Sequence, residues 1–241
     1  MIILAIGVKA DTEFLKGSSI EIGPRGHIIV DKHMKTNVEG IYAVGDAIEV
    51  VDYINENKTA IPLAGPANKQ GRIAADNICE LNSSYKGTQG TAIIKVFGLT
   101  GASTGNNERT LSKFNIPYEV VYTHSQSHAS YYPGGTPISL KLIFDTKGKI
   151  LGAQAFGYDG ADKRIDDIAI VIRFGGTIYD LEELELAYAP PYSSAKDPVN
   201  MLGFVAENVL TGKVETVLSK DIDNRDKDKV ILLDVRDDIE N

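Results

Sequence analysis

Residues 36–46 read TNVEGIYAVGD, and the reading of this stretch decides the fold. A polar turn leads into Gly40-Ile41-Tyr42-Ala43-Val44, a short apolar run of the kind that forms a strand covered on both faces. Gly45 then allows close backbone approach at the carboxyl end of that strand, where open α/β sheets bind ligands. Asp46 follows as a fixed acceptor, well placed for hydroxyl groups. The competing reading is a buried strand that ends in an ordinary Gly-Asp turn.

Upstream of this stretch, the apolar run 2–6 closed by Gly7 predicts a strand, 12–17 a short helix and 28–31 another strand. Downstream, a polar loop over 52–59 precedes Ile61-Pro62-Leu63-Ala64-Gly65-Pro66. Ala67, Gly71, Ala74, Ala75 and Ile78 then recur at helical spacing, which predicts a helix running to about Leu81. The start of such a helix carries unpaired N–H groups and the positive end of the macrodipole, a setting for an electron-rich partner.

A polar boundary at 82–87 changes the pattern. Strands are predicted at 91–97 and 118–124, and 140–144 and 150–156 flank Asp145-Thr146-Lys147-Gly148-Lys149 as a hairpin. A helix opening near Ser103 or Thr104, with Glu108 placed for a capping box, is predicted between the first two. Gly98, Gly101 and Gly105 lack a phosphate-loop lysine and read as turn and cap. Helices follow at 161–174, 179–184 and 198–210, and strands followed by helices indicate an α+β domain.

Composition excludes several function classes. Of 241 residues, 43% are hydrophobic and 24% charged, as in globular proteins. The net charge of −8 opposes a basic nucleic-acid footprint. No apolar run has the length of a membrane span, and the amino-terminal residues do not form a signal peptide. One cysteine, Cys79, excludes an internal disulfide framework and suits a reducing cytoplasm; its helical context reads as packing. Histidines 27, 33, 124 and 128 show no ligand spacing, so no metal is assigned.

The pattern T-x-x-x-G-I-Y-A-x-G-D in residues 36–46 resembles the second FAD fingerprint of the flavoprotein pyridine nucleotide-disulfide oxidoreductases. Residues 2–11 resemble the strand that leads out of that family's NAD domain, with Asp11 where asparagine is frequent. The segment P-L-A-G-P-A-N-K-Q-G-R resembles the branch of coenzyme A-disulfide reductases, NADH oxidases and NADH peroxidases. The resemblance implies an α/β C-terminal part of a FAD/NAD(P)-binding domain followed by an α+β dimerisation domain. On this basis residues 1–8 are the last strand of the NAD(P)-binding domain and 9–84 the second half of the FAD-binding domain. Residues 85–212 are the dimerisation domain, and 213–241 a linker with the first strand of a rhodanese-like domain. That last assignment rests on V-I-L-L-D-V-R-D within 229–237, for which a short buried strand is the competing reading.

Cofactors implied by the family are FAD and NAD(P)H, with Asp46 at the ribityl chain, Leu63 and Ala64 against the isoalloxazine, and Gly45 and Pro62 beside them as cofactor-binding residues. Neither a GxGxxG turn nor a cysteine at the family's redox position occurs, so the chain is expected to be the C-terminal part of a longer enzyme and inactive alone. Two tyrosine clusters, in S-H-A-S-Y-Y-P-G and Y-A-P-P-Y-S-S-A-K-D-P-V-N, resemble the coenzyme A-disulfide reductases. There tyrosines of the neighbouring subunit replace a His-Glu pair, which implies catalytic roles for Tyr188 with Tyr131 or Tyr132 in a homodimer. A phenol stays protonated at neutral pH and can donate to a thiolate. As the alternative, Tyr131, Tyr132 and Tyr192 are interface aromatics beside proline turns. Lys196 has two readings, a contact to a coenzyme A phosphate and a solvated lysine beside Asp197. The expected substrate is coenzyme A disulfide or a persulfide. The alternatives are an NADH oxidase, peroxidase or polysulfide reductase of the same family, and a non-catalytic dimerisation module unable to hold FAD.

Overall fold

The computed structural model describes residues 2–226 and 228–235. Its first part has little regular sheet. The 3-10 turns Glu13–Leu15 and Gly45–Ala47 punctuate a chain held by single bridges, Ile22 to Ile28, Ile28 to Ile48 and Lys35 to Tyr42. Strands β1 (Val50–Val51) and β2 (Lys58–Thr59) form a small antiparallel hairpin, β1 just before and β2 at the end of the segment 52–59 expected to be a polar loop. Helix α1 (Ala64–Ile78) follows. Ile28, Val30, Met34, Ile48, Val50 and Ala74 make a small core beneath it.

The second part is an antiparallel sheet covered by helices. In chain order it contains β3 (Ala92–Val96), β4 (Leu99–Gly105), α2 (Glu108–Lys113), β5 (Glu119–Gln126), β6 (Pro137–Phe144) and β7 (Ile150–Gly157). Helices α3 (Ala161–Arg173), α4 (Ile178–Glu183), α5 (Pro198–Leu210) and α6 (Ser219–Asp223) complete it. The strand order is β3-β4-β7-β6-β5. Alternation along the strands sends Leu140, Leu142, Ala153 and Ala155 to one face, where they meet Ile165, Ile168 and Ile172 of α3 and Val199 and Leu202 of α5. At one end of the opposite face, Val120, Ile143 and Leu151 bury Leu111 of α2. This is the expected α+β arrangement.

Several expectations are corrected. Residues 2–9 and 230–235 are not strands, and their apolar side chains are exposed. A strand exists only when a neighbour takes up its N–H and C=O groups, and no described residue pairs with these runs. Met1 and the expected strand end at Arg236 and Asp237 lie outside the described residues. For the same reason 40–44 forms one bridge rather than a strand covered on both faces, with Ile41 and Val44 exposed. The glycine-rich stretch read as turn and cap is strand β4. Gly101 sits under the Phe156 ring on β7, where a Cβ would stand 3.0 Å from the ring. The following helix starts later than expected, capped by Asn107, whose side chain accepts from the Thr110 amide at 2.9 Å. Cys79 is exposed at the C-cap of α1 rather than packed. The expected linker contains α6.

A tongue formed by 52–57 joins the two parts. The Tyr53 amide donates to the Thr88 carbonyl and the Thr88 amide to the Val51 carbonyl. The Tyr53 hydroxyl donates to the Arg173 carbonyl at 2.8 Å, and the Arg173 guanidinium lies 4.2 Å above the Tyr53 ring. Asn106 Nδ2 donates to the buried Asp52 carboxylate at 2.8 Å.

Candidate functional site

The Gly45-Asp46 turn is held from three sides. Ile28 and Ile48 bridge below it: the Ile28 amide donates to the Ala47 carbonyl and the Glu49 amide to the Ile28 carbonyl. Lys35 and Tyr42 bridge above it. From α1, the buried Gln70 side chain accepts the Gly45 amide at 2.7 Å. Gly45 has φ +78°, a conformation that suits glycine, and its Cα side stands close to Ala67 of the helix. Asp46 therefore projects from a fixed turn. Its carboxylate is exposed and has no hydrogen-bond partner among the described residues.

Beside the turn, α1 begins without a side-chain cap. Leu63 occupies the N-cap in extended conformation and makes no capping bond. Since Pro66 has no N–H and Ala67 already donates to the Leu63 carbonyl, the amides of Ala64 and Gly65 are left without intrahelical partners. Pro62, Ala64 and Gly65 are exposed and Leu63 is half-buried. Free amides, a positive helix end and an unengaged carboxylate at the adjoining turn form a surface suited to a ligand with hydroxyl groups and an electron-rich ring. The expected face of α1 is shifted: Gln70, Ala74 and Asn77 are buried, whereas Ala75 and Ile78 are exposed. Gln70 was missed because it resembles any polar helix residue, but its spacing of four and seven from Ala74 and Asn77 placed it on the inner stripe.

The tyrosines form a second group. Tyr131 and Tyr188 come from separate loops, and their hydroxyls lie 2.9 Å apart. Both rings reach solvent, at 74% and 47% exposure. The hydrogen bond that the Tyr188 hydroxyl shares with Tyr131 favours the protonated phenol and holds Tyr188 above its ordinary range. Tyr132 lies apart from this pair, edge-on to the buried His128 ring at 5.8 Å. Tyr192 is exposed. Lys196 is also exposed, 5.9 Å above the Phe204 ring, while the buried Asp197 pairs with Arg164. No described hydrogen bond joins the tyrosine pair to the Gly45-Asp46 turn. Among the described residues, no group of three or more His, Cys, Asp and Glu side chains could hold a metal ion.

The description "Pyridine nucleotide-disulphide oxidoreductase" matches residues 1–71, and its dimerisation domain matches residues 91–198. Coenzyme A disulfide reductase of Staphylococcus aureus (strain Newman) is 39% identical over 210 residues, covering 86% of this chain and 47% of that protein. The chain thus spans about half the length of the curated relatives it matches. The crystal structure of reduced Bacillus anthracis CoADR-RHD is similar with a TM-score of 0.90 and 54% identity, over 93% of this chain and 41% of that one. A NAD-dependent persulfide reductase from A. fulgidus gives a TM-score of 0.84 at 40% identity, over 88% of this chain and 39% of that one. No described helix is long and apolar enough to cross a membrane.

Proposed function

Since the chain belongs to the pyridine nucleotide-disulphide oxidoreductases, we propose that it is part of an FAD- and NAD(P)H-dependent enzyme that reduces coenzyme A disulfide or a related persulfide. The observation that carries the flavin reading is the fixed Gly45-Asp46 turn beside the bare start of α1. The residues fit the cofactor. Asp46 would offer unengaged acceptors to the ribityl hydroxyls, Gly45 would allow close backbone approach, and Leu63 and Ala64, with Pro62 before them, would lie at the ring. The chemistry supplied by bound FAD would be two-electron transfer from a nicotinamide to a disulfide. The Ala64 and Gly65 amides favour negative charge beside them without a counter-ion.

The Tyr131–Tyr188 pair supports the coenzyme A branch. One hydroxyl donates to the other, which leaves one phenolic proton free to point outward to a departing thiolate. In this reading the pair acts at the other subunit of a homodimer, Tyr132 packs on His128 next to Tyr131 in the chain, and the exposed Lys196 reaches a phosphate of the substrate. The domain boundaries proposed are 1–8, 9–84, 85–212 and 213–241, the last leading into a rhodanese-like domain. A single cysteine in these residues fits a reducing compartment such as the cytoplasm.

The test is steady-state reduction of coenzyme A disulfide and coenzyme A persulfide by the intact protein with either nicotinamide. Asp46→Ala is expected to weaken FAD binding about tenfold or more, from the loss of charge-assisted hydrogen bonds. Tyr188→Phe is expected to keep the flavin and lower turnover. A flavin-loaded enzyme that reduces neither substrate overturns the reading.

A further inference from the structure

We propose that Arg164 is a positioning residue for the tyrosine pair, its guanidinium clamping the loop that carries Tyr131 against the loop that carries Tyr188. The consequence for the reaction rests on the function proposed above. The clamp is a property of the chain itself.

Arg164 sits on α3 with 1% of its surface exposed. Nη2 donates to the Ser127 carbonyl at 2.8 Å, to Asp197 Oδ2 at 3.0 Å and to Ser193 Oγ at 3.3 Å. Nε donates to Asp197 Oδ1 at 3.2 Å, and Nη1 to the Gly160 carbonyl at 3.3 Å. Ser127 is the base of the first loop, which closes where the Ser127 amide donates to the Thr136 carbonyl and the Thr136 amide to Ser127 Oγ. Ser193 and Asp197 form the base of the second loop, and the Ala129 amide donates to the Ser193 carbonyl between them at 2.9 Å. Lys163, the preceding residue of α3, lies 3.5 Å from the Ala187 carbonyl, next to Tyr188. One turn of one helix thus fixes the roots of both loops.

This anchoring explains how the pair persists. A hydrogen bond between two water-accessible phenols has water as a competitor on both sides, so it survives only where the backbone presents the rings to each other. Neither loop has regular secondary structure to do this. The planar guanidinium has donors enough for two loop roots at once, which a lysine head on a flexible stem cannot match. Asp197 caps α5 through the Val199 amide regardless, so the arginine is not needed to begin that helix.

The test uses the full chain with carbon-13 at tyrosine Cζ, the two signals being assigned with Tyr131→Phe and Tyr188→Phe. In the parent chain, Tyr131→Phe is expected to lower the pH at which Tyr188 titrates, because the hydrogen bond between the two hydroxyls is lost. In Arg164→Met, Tyr188 is expected to titrate at that lower pH already, and adding Tyr131→Phe should change nothing. Arg164→Lys should recover part of the coupling. If Arg164→Met does not fold, Ser193→Ala serves, with a partial loss of coupling expected. An undiminished effect of Tyr131→Phe in the folded arginine variant, or in Ser193→Ala where that replaces it, overturns the proposal. Such a result leaves the functional reading standing, whereas an inactive flavoenzyme with intact coupling defeats that reading and leaves the clamp.

Discussion

Replacing Asp197 by alanine should cost the chain a large share of its stability. Asp197 is 2% exposed and faces Arg164, 1% exposed. Removing the carboxylate strands a buried guanidinium with two of its bonds broken, which costs about 3–5 kcal/mol for buried pairs. The same side chain caps α5 at the Val199 amide, a role worth about 1 kcal/mol. Both losses share one group and do not simply add, so about 4–5 kcal/mol is expected, against a typical stability of about 5–15 kcal/mol. Urea unfolding measures it. The double variant Arg164→Met with Asp197→Ala should recover much of the loss, because no charge is left unpaired. The cost should also depend on pH. Burial alone would raise the Asp197 carboxyl, but the Ser193 hydroxyl, the Val199 amide and Arg164 together hold it below the usual carboxylate range. Its folded-state value is therefore depressed, so its contribution is full above the ordinary carboxylate value of about 4 and is lost as pH falls through the folded-state value. The gap between parent and variant should close in acid. A loss under about 1 kcal/mol, or a gap unchanged in acid, refutes the reasoning.

Gln70→Leu leaves the Gly45 amide without its acceptor; a loss of about 1–3 kcal/mol is expected, together with faster hydrogen exchange at Gly45. Gly152→Ala places a Cβ 2.0 Å from the Asn106 carbonyl oxygen, backbone that cannot turn aside, so a loss of about 3 kcal/mol or more should appear as a lower melting temperature. Exposed Cys79 should react with a thiol reagent in the folded chain as fast as in urea; protection in the folded chain would contradict its placement.

The dimerisation half was the more legible because its signals are local. Asp197 before Pro198 marks the start of α5, and Asp145 to Lys149 spells a turn between two apolar runs. Strand β4 was hidden because its glycines read as punctuation, whereas Gly101 lies within the strand beneath the Phe156 ring. The runs 2–6, 40–44 and 230–235 have strand composition, but pairing is a relation between segments, and a one-segment pattern does not show whether the neighbour is present. Tyr131 and Tyr132 are not separable from the sequence, whereas in the structure Tyr131 meets Tyr188 and Tyr132 packs on His128. Arg164 and Gln70 were invisible as chemistry. Each lies on the buried stripe of its helix, Arg164 in line with Ile168 and Ile172, and a polar residue on such a stripe was the unused signal.

The uncapped opening of α1 has a practical consequence. Its attraction for negative charge comes from main-chain dipoles, which neither gain nor lose a proton, so acidity cannot switch it off. No side-chain truncation can delete it either. Only a change to the main chain, such as proline in place of Ala64 or Gly65, would remove a donor, so the pull of this helix end on negative charge stays constant wherever the fold survives.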